Sequence, residues 1–189
     1  MKHLLIAVVL AASAAATAAA IAVSATSDPE SRTSPQQPGP EHARLAAMVG
    51  TWDVEMSIWS QPGRPALTVK ATSTIRALFG GLFVEEQIEG ALMGTPFTTM
   101  AWTGFNTDTR KYEATRIAST NPIRIAETGV FDEKTKRFEL SADYSMAGDT
   151  WHQRTVIEQT SRDVMIAASY LRFGAVPEWK GVEIKYTRK

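Results

Sequence analysis

The chain has 189 residues, 44% of them hydrophobic and 21% charged, with a formal net charge of zero and no Cys. This composition excludes a long disordered polar chain and offers no global basic charge to hold nucleic acid. Without cysteine there can be no disulfide, thiolate nucleophile, cysteine zinc site, covalent c-type haem attachment or lipidated cysteine anchor, so stability must come from a buried core.

At the N-terminus, Lys2 precedes an alanine-rich apolar run that ends in small residues, the architecture of an export signal. Val23-Ser24-Ala25 offers compact side chains around a cut, so residues 1–25 are predicted to be a signal peptide cleaved after Ala25. The expected location is periplasmic or secreted. A run of about twenty apolar residues is also long enough to cross a hydrocarbon core, so a form membrane-anchored by residues 4–25 is the alternative. Residues 26–40 read TSDPESRTSPQQPGP, with no aromatic side chain to bury, and are predicted to be a disordered linker. No internal repeat or second composition shift follows, so 41–189 is read as one domain. Within it, 41–48 has the pattern of two helical turns, with Leu45 and Met48 on one face and Pro40 just before the start. Such a helix could cap one end of a barrel.

Beyond this segment the apolar period is two. Trp52, Val54, Met56 and Ile58 alternate with Asp53, Glu55 and Ser57, which reads as a half-buried strand. A second strand at 67–76 repeats the alternation, and Gly80-Gly81 permits a tight turn into a third at 82–89. Further strands are expected at 97–105, 110–118, 124–131, 136–144, 151–158, 164–170 and 182–187. Ten strands joined by short connections favour a sequential antiparallel meander, because parallel pairs need crossovers of a dozen or more residues. Closing the meander removes its edges and leaves an interior with room for a small ligand. A β-sandwich of the same strands is the structural alternative.

Gly50-Thr51-Trp52-Asp53-Val54, Leu78-Phe79-Gly80-Gly81-Leu82-Phe83-Val84-Glu85-Glu86 and Met93-Gly94-Thr95-Pro96-Phe97 follow one another along the chain. Gly104-Phe105-Asn106 with Lys111-Tyr112, and the ending Glu183-Ile184-Lys185-Tyr186-Thr187-Arg188-Lys189, complete the set. Together these blocks resemble the uncharacterised bacterial DUF1579 family over residues 44–189. The resemblance implies an all-β, about ten-stranded antiparallel calycin/lipocalin-like β-barrel, here preceded by the signal peptide, and it implies no catalytic assignment. Trp102 and Thr103 stand before the central Gly where small apolar residues are common in the family, and the segment before the last strand is shortened. Both departures bear on the shape of the cavity mouth.

Gly50 lets the chain turn closely under the barrel, and Trp52 is read first as a plug for its end, with stacking on an enclosed ligand as the other reading. Glu85, Glu86 and Glu89 are the densest carboxylate group. Glu85 and Glu89 share a face but lie about 13 Å apart at 3.3 Å per residue, too far for an acid–base pair that needs roughly 5 to 9.5 Å. Glu86 points the other way, among Val84 and Ile88, and calls for a partner such as Arg116, Arg124, Arg154 or Tyr112. This mixture of polar and apolar side chains on both faces fits a wet cavity better than a dry core.

No metal site is predicted, since the histidines lack ligand spacing, and no cofactor is predicted. Haem held through His152 as an axial ligand is the remaining alternative. The sequence has no Gly-x-Ser-x-Gly elbow and no phosphate loop, and catalytic residues stay unknown. The candidate ligand contacts are Trp102, Tyr112, Arg116, Tyr144, His152 and Trp179, the last on a rim segment with Pro177 and Glu178. For Trp102, which shares a face with Thr98 and Met100, either face of the strand is open as the inner one.

The function expected is an exported binding protein for a small amphipathic or apolar molecule, present as a monomer or weak homodimer, with no nucleic acid partner. A structural or protein-interaction barrel with a filled lumen is the alternative, followed by an enzyme that uses dispersed barrel residues.

Overall fold

A computed structural model describes residues 37–189; the expectations of a signal peptide, an anchor and a linker over 26–36 lie outside the described residues. The helix expected over 41–48 is α1 at Pro40–Ala46, which takes Pro40 in as its first residue and ends two residues sooner. Proline suits the first helical position, where its fixed φ is already helical and its missing N–H has no partner to lose. Gly39 precedes it, and its amide donates to His42 Nδ1 at 3.0 Å.

Ten strands follow: β1 (Gly50–Ile58), β2 (Leu67–Leu78), β3 (Phe83–Leu92), β4 (Thr95–Asn106), β5 (Lys111–Ala118), β6 (Asn121–Asp132), β7 (Arg137–Met146), β8 (Asp149–Ser161), β9 (Val164–Phe173) and β10 (Trp179–Arg188). A 3-10 turn, Phe79–Gly81, links β2 to β3. Every neighbour is antiparallel, and the first and last strands pair from Trp52↔Arg188 to Ile58↔Val182, which closes the barrel. The two-sheet sandwich is thereby overturned. Each strand has two partners, so no strand in the circuit is a free edge along its whole length.

The pleat sorts each strand into an inner and an outer set. In β1, Trp52, Val54 and Met56 are buried between exposed neighbours, and in β7 Phe138, Leu140 and Ala142 repeat the pattern. The barrel end at which β1 begins and β10 finishes is closed by α1. There Trp52, with no exposed surface, donates its indole N–H to Met48 O at 3.0 Å and meets Tyr186 edge-on at 6.2 Å. Tyr112 makes the second rivet: its hydroxyl donates to Glu41 O at 3.0 Å and accepts from Arg44 at 3.3 Å. Phe105 and Phe138 pack edge-on against the Tyr112 ring. Gly50 is where glycine is required, because its φ of 151° is one that L side chains rarely adopt; a Cβ there would also displace the Arg188 guanidinium lying over Trp52.

At the opposite end Trp151 stacks on Phe173 at 4.3 Å, and Trp179 meets both rings edge-on while donating to Trp59 O at 3.2 Å. One seam interrupts the wall on this side. β6 and β7 pair only between Thr128↔Ser141 and Asp132↔Arg137. Nearer the open end, residues 121–127 of β6 pair with β5 alone and residues 142–146 of β7 with β8 alone.

Candidate functional site

The lumen holds a cavity of about 300 Å³, bounded by Leu45 and Met48 at the helix end and reaching the exposed Asn121 at the other. Most of its wall is aliphatic, with Ile88, Leu140 and Ile184 among the contributors. A belt of polar side chains crosses it at mid-height, and the register explains how the belt forms. Glu86 of β3 pairs with Ala101 of β4, which pairs with Arg116 of β5, so the three stand in one row with the smallest in the middle. Two long side chains then meet above a methyl group across about 9.5 Å of sheet.

Arg116 lies between two carboxyls, 4.0 Å from Glu86 and 3.9 Å from Glu127. Neither approach is short enough for a hydrogen bond, and among the described residues the guanidinium makes none. Burial works against its charge, but Glu127 and Glu86 outweigh burial and hold its pKa above the ordinary value. Glu86 accepts from Ser73 at 2.9 Å, and its charge acts on the Tyr186 phenol of β10. Burial first, and the Glu86 charge second, push the Tyr186 phenol well above its ordinary value, so it stays a donor. The Glu127 side chain has no exposed surface. Its Oε1 accepts from Thr155 at 2.5 Å and Gln153 at 3.0 Å, while Oε2 accepts no hydrogen bond from the described residues. Small Ala142, between β6 and β8, leaves room for that reach. Tyr144 completes the belt with a 3.4 Å bond to Gln153 Oε1.

The residues singled out from sequence divide between the two faces. Arg116 and Tyr144 line the cavity. Tyr112 points inward but is taken up by the helix rivet and is not on the cavity wall. Trp102 stands on the outer face, where its indole donates to Glu85 Oε2 at 2.8 Å beside Arg76. The inner face of β4 is instead that of Thr99, Ala101 and Thr103. His152 is also outside, its Nδ1 2.6 Å from Asp143 Oδ1, so it cannot be an axial ligand for a haem in the lumen. Trp179 belongs to the aromatic cluster at the open end, and neighbouring Glu178 pairs with Arg154 at 2.7 Å.

Sequence reasoning found Glu86 by its break in alternation and named Arg116 among its partners. It missed Glu127, Gln153, Thr155, Ser73 and Tyr186. The same signal was available: Glu127 interrupts Ile125 and Phe131, and Gln153-x-Thr155 interrupts Trp151 and Ile157, each on an otherwise apolar face.

A closed ten-stranded antiparallel barrel with a polar belt inside an aliphatic cavity is consistent with the calycin and lipocalin-like superfamily. The chain belongs to the DUF1579 family, described as "Protein of unknown function", whose match covers residues 37–188. No curated protein matches the sequence. Among solved structures, an S-type phycobiliprotein lyase, CPES from Guillardia theta, is similar at 12% identity and a TM-score of 0.54, over 80% of this chain and 98% of that one. At that identity the likeness shows the fold alone.

Proposed function

We propose that the protein is an exported carrier that holds one small amphipathic or apolar molecule in its lumen. One observation carries this reading: a cavity of about 300 Å³, mostly aliphatic, with a few polar groups converging at mid-height. That is the composition of a small-molecule site, and the volume lies at the lower end of the usual range of roughly 300–1,000 Å³. A cavity of about 150 Å³ lined by aliphatic side chains accepts benzene, so this one suits a ligand of about a dozen heavy atoms. The export half of the proposal rests on the N-terminal sequence. Native mass spectrometry of the chain, gently extracted from the cells that make it, tests both halves. The expected result is a polypeptide beginning at Thr26 with a small molecule bound at unit stoichiometry; repeated recovery of empty protein would move the reading to a structural barrel.

A further inference from the structure

Among the described residues Arg116 is the one cation on the cavity wall, and a guanidinium presents five N–H donors in a rigid fork and no acceptor. The nearest carboxyl oxygens, of Glu86 and Glu127, stop at 4.0 and 3.9 Å, beyond hydrogen-bonding reach of its nitrogens. A quarter of the side chain's surface remains accessible, and it faces the cavity. The belt therefore offers donors to whatever occupies the lumen. Its formal charge limits what can accept them. Glu86 and Glu127 set two negative charges against the single positive charge of Arg116, so an anionic head would enter a site already in negative excess, with Glu86 on the same wall. A cationic head would satisfy the charge count, but it would bring further donors to a group that has donors to spare. Glu86 already accepts from Ser73, and Glu127 is not on the cavity wall.

We propose that the ligand's polar end is an uncharged hydrogen-bond acceptor, a carbonyl oxygen of the amide, ketone or ester kind, seated on the Arg116 fork with its apolar remainder along the aliphatic wall. This rests on the carrier reading and adds the chemistry of the head. A guanidinium N–H can donate to a carbonyl oxygen without adding charge to the belt, and the aliphatic residues on either side of it receive the rest of the molecule.

Four probes with one skeleton test it: phenylbutanamide, phenylbutanoate, phenylbutylamine and butylbenzene, all with the ring at the chain end. Each is titrated calorimetrically into the full chain after extraction of co-purified molecules. The amide is expected to bind about tenfold more tightly than any of the other three, the gain expected of a hydrogen bond to a charged donor. R116K keeps a cation between the carboxyls and removes the fork. It is expected to weaken the amide severalfold more than it changes the binding of butylbenzene. The carboxylate or the amine binding most tightly, an amide no better than butylbenzene, or an amide affinity indifferent to R116K would each overturn the carbonyl assignment while leaving the carrier intact. Failure of all four probes to bind would reject the carrier reading, and this inference with it.

Discussion

Trp52 joins three parts of the molecule through one side chain: the Met48 carbonyl after the helix, the Tyr186 ring of β10 and the Arg188 guanidinium 4.0 Å from its ring centre. Trp52→Ala removes the largest buried side chain and leaves a cavity at the closed end, so about 3–5 kcal/mol of stability should be lost. Urea unfolding measures that loss, and it separates a plug from a ligand contact because the loss persists in empty protein. Glu85 gives a residue-scale prediction with a pH sign. Trp102 first and Arg76 second hold its carboxyl below the ordinary value of 4.5. The folded state thus favours the ionised form, so the stabilisation is complete above that value and is lost as pH falls through the lowered one. Melting temperatures of the wild type and Glu85→Gln should differ at about pH 6 and converge towards about pH 3. A difference that stays constant over that range would show that the charge on Glu85 is not what stabilises the cluster.

At the scale of elements, α1 is only seven residues long and owes its place to tertiary contacts. Arg188 donates to Val49 O at 2.8 Å and Ala47 O at 3.1 Å, holding the carbonyls that follow the helix against the end of β10. Arg188→Ala should cost about 1–3 kcal/mol through the carbonyls left without a charged donor, and amide exchange should quicken across residues 40–48 before it does in the strands. The β6–β7 seam makes an opposite kind of prediction, for the intact protein. Amides of 142–146 that point away from β8 have no ladder partner in β6, and they should exchange much faster than those of the same strand that point towards β8. Uniform protection along β7 would mean that the wall is continuous there. The seam runs up from the level of Glu127 and leaves the backbone edges of both strands free where Ile125 and Tyr144 line the cavity.

For the whole molecule, closure couples the ten strands, and occupancy of the lumen should therefore register in global stability. A ligand held at about a hundred times its Kd adds roughly 2.7 kcal/mol, or about 5–10 °C in a domain of this size. Stripping the native ligand should lower the melting temperature by that amount, and adding back the extracted small molecule should restore it.

Alternation was enough to place all ten strands, because the pleat is a local property in which side chains change face at every residue. The helical cap, the Trp52 plug and the turns at Gly80-Gly81 and 106–109 were likewise legible from short-range chemistry. Which face of β4 looks inward was not, since Thr98, Met100 and Trp102 on one side are as amphipathic as Thr99, Ala101 and Thr103 on the other. Nor was the polar belt. Glu86, Arg116, Glu127 and Tyr186 come from β3, β5, β6 and β10, and they meet only through register and closure. Those are relations between residues far apart in the chain, fixed by long-range pairing and by where small residues such as Ala101 and Ala142 leave room. The strands and their meander order follow from local pattern and short connections; what faces the cavity follows from closure, because burial of a charge depends on which partners the closed wall brings to it.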